Sequence, residues 1–402
     1  MSVAQRSVSL WRNRDFLLLW GGQMVSDVGS SVSGFAYPLL MLAITCSPAQ
    51  AGFLSAVHLL AYVLFVLPAG VLVDRLNRKR VMVVCDGGRA LALGSVFLTL
   101  ALGHLTVAQL YVVGFVEVML EAFFSTAEIA CLPQVVEPEQ LPTAMSRVQV
   151  STGVESLVGS PLGGVLYGLR MYVPFLADAV SYVVSAVSLL FIRTPFQQAR
   201  GEVSRNLWKD LTTGLGWLWR QPVLRFMALM VAGNVFVGAG YGLIVIVIAQ
   251  GHGASAEVIG LIFGIQGVGS IVGGLVAPFV QRRFSFRKVV LVTMWLFALF
   301  WLALAVAPNV WALGVVAAGL GLIIPLINVV NISYRLAVTP DSLQGRVNSV
   351  ARLIANGMGP LGAAVIGVLL QQYGPVVTTL LCALELAVLA VVASLNAAIR
   401  LA

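Results

Sequence analysis

Apolar residues along this chain run in blocks of twenty or more, and polar residues gather in short breaks between them. A helix needs about 20 mostly apolar residues to cross a bilayer, because backbone groups in lipid must be satisfied internally. Runs of that kind cover 15–43, 49–73, 81–102, 107–130, 143–168, 172–192, 223–249, 255–280, 288–307, 309–336, 344–370 and 375–397. The breaks are turn-like, as in "TCSPAQ", "AQGHGAS" and "QQYGP". The pattern predicts an all-α membrane protein with 12 transmembrane helices.

Charge placement orients these spans. The chain carries 24 Lys and Arg against 16 Asp and Glu, a formal charge of +8. With the N-terminus in the cytoplasm, every Lys and Arg except Arg170 falls on the cytoplasmic side, nearby helix ends included. That is a strong positive-inside bias and places both termini in the cytoplasm. The excess charge is therefore an orientation signal, and no nucleic-acid partner is expected. Hydrophobic residues make up 59% of the chain and charged residues 10%. A water-soluble domain of this size needs more polar surface.

The two halves echo each other. "LWR" at Leu10–Arg12 recurs at Leu218–Arg220, and Gly52 and Arg75 have counterparts in Gly260 and Arg283 at the same offset. "PLGG" at Pro161 resembles "PLGA" at Pro360. The expected domains are a six-helix bundle over 1–192, a cytoplasmic linker over 193–222, and a second six-helix bundle over 223–402. The linker's tail places Leu207, Leu211, Leu215 and Leu218 at helical spacing beside Trp208, Trp217 and Trp219, as in a helix lying at the membrane surface. Two parallel six-span repeats match the plan of rocking secondary transporters, with substrate bound between the halves near mid-membrane.

The stretch "GVLVDRLNRKR" between spans two and three resembles the signature loop of the major facilitator superfamily, with Gly70, Asp74, Arg75, Arg78, Lys79 and Arg80 in the pattern. Asn77 stands where the family usually has a second Gly, a mild departure because Asn tolerates left-handed backbone. "LWRNRDFLLLW", the Leu-rich second span and "DRLNRKR" resemble the branch holding macrolide-efflux proteins and enterobactin exporters. The resemblance implies a cytoplasmic latch. Asp74 would face the start of span eleven near Gln344–Arg346, and Arg78 would pair with Glu128 at the cytoplasmic end of span four. Span five partly matches the antiporter glycine pattern through Gly159, Pro161, Gly163 and Gly164, which tilts the reading toward export. Those small residues also let helices approach closely without any special role, as do Gly260, Gly264, Gly269 and Gly273 in span eight.

An ionised acid at the centre of a span costs about 2.5–3.5 kcal/mol on insertion scales. It needs a partner, a proton or water. Glu117, Glu121 and Glu128 lie within about 40° of one another around span four. The resemblance makes that span cavity-lining. Asp27 shares a polar face of span one with Gln23, Ser30 and Gly34, and Glu155 lies midway along span five. Asp27, Glu117, Glu121 and Glu155 are the candidates for proton or substrate coupling, Glu121 and Asp27 foremost, and the alternative for each is a structural bond to a neighbouring hydroxyl or amide. Asp178 and Glu385, in spans six and twelve, are expected to be structural or to meet lipid headgroups. Asp86 and Arg89, three apart, are expected to satisfy each other. Spans seven to eleven contain no acid. Gln23, His58, Asn234, Tyr241, Gln266, Asn328, Asn331 and Asn356 are the expected polar groups of the substrate cavity.

Other chemistries find little support. Cys46, Cys85, Cys131 and Cys382 are scattered, so neither a disulfide nor a metal site is expected. The basic start "MSVAQRSVSLWRNRDF" has no cleavage pattern and is not read as a secretory signal. The phosphate-binding pattern GxxxxGK[ST] is absent, and no nucleophile sits with a His partner. No cofactor is expected, and the chain is not expected to be an enzyme. The expected function is proton-coupled export of amphipathic small molecules, such as drugs, macrolides or siderophores, by a monomer in the cell membrane. Nutrient uptake by symport and a non-transporting receptor or scaffold are the alternatives.

Overall fold

Wherever the sequence offers an apolar run, the chain is helical. The structure, a computed structural model, describes residues 10–194, 196 and 207–396, excepting the side chains of 207–211 and 342. The predicted positions of Arg6, Arg200, Arg205 and Arg400, and the side chains of Leu207, Trp208, Lys209 and Leu211, lie outside the described residues. In chain order the helices are α1 (Arg14–Thr45), α2 (Pro48–Arg75), α3 (Arg78–Ala101), α4 (Val107–Val135), α5 (Leu141–Leu169), α6 (Val173–Leu190) and α7 (Leu207–Arg220). Then follow α8 (Pro222–Gly238), α9 (Tyr241–Gly251), α10 (Ala256–Arg283), α11 (Phe286–Ala305), α12 (Val310–Val338) and α13 (Asp341–Leu395). No strand occurs among the described residues.

The boundaries follow local chemistry. Asn77, Thr106 and Asn309 cap α3, α4 and α12, each accepting a hydrogen bond from a backbone N–H three residues on. Among the described residues ten helical stretches are long and apolar enough to cross a membrane. Two features separate that count from the predicted twelve. Spans eleven and twelve form one run, α13, which at 55 residues would be roughly 80 Å long if straight. It breaks at Gly374, whose φ of 76° only glycine adopts freely, just before Pro375. The other is α5, whose Ser146, Arg147, Gln149, Ser151, Thr152 and Glu155 make it too polar to count. Span seven is interrupted at Ala239–Gly240, between α8 and α9.

Contacts divide the chain into two units, Met1–Tyr37 with Ala61–Gly201 and Pro38–Leu60 with Glu202–Ala402. The α1–α2 turn thus groups with the second half of the sequence. In the first unit α3 packs against α4 and α6. A Cβ on Gly159 would strike Ser31, and one on Gly163 would meet Phe35 and the Val32 carbonyl at 3.1 Å, so α5 lies close on α1. Gly22 and Gly29 press α1 onto α6 in the same way, at Ser188 and at Ser181 with Asp178. Phe16, Met82, Phe124 and Leu189 belong to an apolar cluster at the end of the unit that carries Asp15. There Asp15 accepts hydrogen bonds from the Arg193 and Thr194 backbone N–H groups and the Thr194 hydroxyl.

In the second unit α10 packs on α12, α8 on α13, and α11 on both α12 and α13. Gly269 and Gly273 face the carbonyls of Ala318 and Leu322, and Gly321 faces that of Gln266. These contacts leave no room for a side chain. The surface helix α7 lies on α13, with Leu218 buried and Trp219 47% exposed.

Candidate functional site

Four helices of the first unit carry polar residues at helical spacing on faces that meet: Ser30, Ser33 and Tyr37 on α1; Asp86 and Arg89 on α3; Glu117 and Glu121 on α4; Asp178, Ser181, Tyr182 and Ser185 on α6. Each set follows the i, i+3, i+4 rule, so each helix contributes one stripe.

Arg89 is the hub. It is 2% exposed and sits eleven residues into α3, about 16 Å along the axis from Arg78. Its Nη2 lies 2.6 Å from Glu121 Oε2 and donates to Ser30 Oγ at 3.2 Å. Its Nη1 is 3.9 Å from Asp86 Oδ1. The guanidinium also lies 4.0 Å from the centroid of the Tyr182 ring, within the range of a cation–π contact. This corrects one expectation: Arg89 is an interior cation and no part of a cytoplasmic charge band. The expected Asp86–Arg89 pair is present at 3.9 Å, with Glu121 as the closer partner.

Glu117 is held from two sides. Tyr37 donates to its Oε2 at 2.6 Å and Tyr182 to its Oε1 at 3.1 Å. Asp178 accepts from the Ser33 hydroxyl and, at 3.0 Å, from Ser181. Asp178 is completely buried, so of the two expected roles the structural one applies and headgroup contact does not: the close approach of α1 and α6 at Gly29 encloses it. Asp27 accepts from Gln23 Nε2 at 2.7 Å, one turn back on α1. Glu121 remains 34% exposed and is the carboxyl of the cluster with an open side. Glu128 and Glu155 are half-buried on α4 and α5.

The basic loop is built differently from expectation. Arg78 donates to Asp74 Oδ1 at 3.1 Å and to the Ala130 carbonyl at 3.0 Å. The expected Arg78–Glu128 pair is not among the ion pairs of the described residues. Arg78 reaches the α4 backbone two residues beyond Glu128, and the nearer Asp74, four residues back, takes its charge. Lys79 donates to the carbonyls of Leu190 at 3.0 Å and Ile192 at 2.7 Å, where the end of α6 has free acceptors. Arg75 and Arg80 are exposed, and a side chain on Gly70 would meet open space. Pro161 and Gly164 lie on α5 beside the close contacts of Gly159 and Gly163.

The expected polar groups of the second unit are dispersed. Tyr241 is wedged between Phe263 and Trp301 with its hydroxyl buried, and no hydrogen bond to it occurs among the described residues. Asn331 donates to the Ile327 carbonyl at 2.9 Å and, with Asn328, lines a cavity that also takes in Arg335 and Arg352. Gln266 and Asn234 are half-buried on α10 and α8, Asn356 is exposed on α13, and half-buried His58 lies on the part of α2 that belongs to this unit. Among the described residues no His, Cys, Asp and Glu cluster could hold a metal ion.

Sequence reasoning passed over Tyr37, Tyr182 and Arg89 as site residues. The usable pattern was on α6, where Asp178, Ser181, Tyr182 and Ser185 fall at i, i+3, i+4 and i+7 in an otherwise apolar helix.

The helical architecture, with ten membrane-crossing stretches among the described residues, is that of a multi-pass membrane protein. The sequence pattern of the Major Facilitator Superfamily matches residues 19–247 and 227–399, and the chain belongs to that family. It is similar to the multidrug efflux pump Tap of Mycolicibacterium fortuitum, 25% identical over 94% of each chain. It is also similar to the enterobactin exporter EntS of Citrobacter koseri, 25% identical over 90% of this chain and 86% of the relative. Among solved structures, the nucleoside transporter NupG superposes with a TM-score of 0.74, over 94% of this chain and 98% of that one, at 14% identity. That likeness concerns the fold.

Proposed function

We propose that this chain is a proton-coupled secondary exporter of amphipathic small molecules, an antiporter working by alternating access in the cell membrane with both termini cytoplasmic. In this reading 1–192 and 223–402 are the two moving bundles, 193–222 links them, and the Gly70–Arg80 loop is the latch. The chain acts as a monomer.

The observation that carries the reading is the imbalance around Arg89. One guanidinium stands among the carboxyls of Asp86, Glu117, Glu121 and Asp178. Several like charges in a low-dielectric interior repel strongly, so neutrality there calls for protons on some of the carboxyls. Glu121, on the open side, is the group through which a proton enters and leaves; buried Glu117 takes a proton by exchanging one hydrogen bond accepted from Tyr37 or Tyr182 for one donated to it. The similarity to efflux proteins supports the outward direction. A proton moving inward releases about 2.3 kcal/mol per 100 mV and about 1.4 kcal/mol per pH unit.

The test is transport in inverted membrane vesicles with an imposed pH gradient and a panel of dyes, a macrolide and a siderophore. Accumulation that collapses with an uncoupler is expected. Accumulation indifferent to the uncoupler would end the proton coupling, and movement of none of the compounds would favour the scaffold.

A further inference from the structure

Cations in the two units are treated in opposite ways. Arg89 is surrounded by carboxyls; Arg335 is not. A cavity of about 150 Å³ opens beside Arg335 in the second unit, walled by apolar side chains of α8, among them Leu224, Met227 and Val231, and by Asn331, Arg335 and Arg352 on α12 and α13. Among the described residues no carboxylate lines it. Between Pro222 and Asn396 the acids are Glu257, Asp341 and Glu385, and among the described residues none of them forms an ion pair with Arg335 or Arg352. The charged group that acts on Arg335 is Arg352, which repels it.

Arg335 is nonetheless fixed in place. Its Nη2 donates to Asn348 Oδ1 at 2.7 Å, and its Nε is buried with no hydrogen-bond partner among the described residues. A positive-inside role needs only exposed charge, as Arg282 and Arg283 supply at the end of α10. Half-buried Arg335 faces this cavity beside exposed Arg352 with no counter-ion among the described residues, and an anion placed there would offset both charges. Guanidinium forks match carboxylate, sulfonate and phosphate oxygens. The volume sets a limit. Sites for whole drug-sized ligands start at roughly 300 Å³, so this cavity takes a head group and a short apolar stem.

We propose that Arg335 and Arg352 form an anion subsite for the acidic group of an amphipathic substrate, whose apolar part lies along α8. The inference rests on the export reading above and narrows its substrate class to amphipathic acids.

The phosphate of an anionic phospholipid offers the same chemistry, so the experiment has separate arms. Purified full-length protein in neutral detergent is titrated calorimetrically with octanoate and with octylammonium, and in nanodiscs with phosphatidylglycerol. Octanoate is expected to bind the wild type and octylammonium not to bind. Affinity for octanoate falls about tenfold or more in R352Q and R335Q and is largely kept in R335K, as for the loss of a charge-assisted bond. Arg352 is exposed, so R352Q tests the site without disturbing the packing. Equal binding of the cation, or octanoate binding unchanged in both glutamine variants, overturns the proposal. So does a result in which phosphatidylglycerol alone binds and loses affinity in R352Q, since the site is then a lipid site. In vesicles, R352Q is expected to slow export of an anionic dye such as carboxyfluorescein and to spare ethidium. Octanoate binding as described, with no transport of any compound by the wild type, would leave the subsite standing and remove the export reading.

Discussion

Arg89 on α3 and Glu121 on α4 form a 2.6 Å ion pair in which the arginine is buried and the glutamate keeps one open edge. The pair joins an enclosed network to an accessible one: Tyr182, under the guanidinium, passes on to Glu117, and Glu117 to Tyr37. The network also spans α1, α3, α4 and α6, so its charge state and the packing of these helices depend on each other.

Removing the cation should therefore be expensive. Arg89→Gln leaves Glu121 and Asp86 without their partner, and breaking a buried pair costs about 3–5 kcal/mol. The expected result is a marked fall in the midpoint of thermal unfolding in detergent, partly restored by Arg89→Lys. An unchanged midpoint would mean that the cluster contributes little to the fold.

Neutralising Glu117 should separate fold from coupling. Glu117→Gln keeps an acceptor for one tyrosine and removes the charge, so the stability change should stay near the value of one hydrogen bond, about 1 kcal/mol. Transport driven by a pH gradient should be lost, while exchange of substrate across vesicles without a gradient persists. Equal loss of both modes would assign Glu117 a structural role.

The loop residues should divide in the same manner. Asp74 is 67% exposed in its pair with Arg78, and exposed pairs contribute about 0–1 kcal/mol. Asp74→Asn should leave the unfolding midpoint close to wild type and slow transport if the loop is a latch. Lys79→Gln, which removes the charged donor to the end of α6, should lower stability by about 0.3–1 kcal/mol, read as a small drop in the midpoint.

Glycine positions should show a contrast within one helix. Gly159→Leu places a side chain into Ser31 of α1 and should destabilise by about 1–3 kcal/mol as overpacking does. Gly153→Leu, on the same helix, meets open space and should be tolerated. Folded yield in detergent, followed by size-exclusion chromatography, checks both.

Much of the architecture was readable from periodicity alone. The twelve apolar runs fall on helices, and the "AQGHGAS" break matches the end of α9 within a few residues. The family followed from the order Gly70, Asp74, Arg75 and the basic Arg78–Arg80, read together with twelve spans and an internal repeat; basic charge between spans alone is common and would not have sufficed. Arg89 was misread because counting charges by side says nothing about depth, and a residue eleven positions into a span looks like a helix-end cation when only its neighbours in sequence are weighed. For Asp178 the sequence left a structural role and headgroup contact open; Gly22 and Gly29, which draw α6 onto α1 and enclose it, decide for the structural one. Arg78 chose Asp74 over Glu128 through local proximity, which spacing across different helices does not reveal.

Gly374 replaces a loop with a single residue. Spans eleven and twelve are consequently joined by a one-residue elbow, so a tilt of one arm has little spare chain to absorb it before the other moves. The arm bearing Arg352 thus has a built-in lever, and lengthening that elbow by a few flexible residues would uncouple the pair while leaving each arm intact.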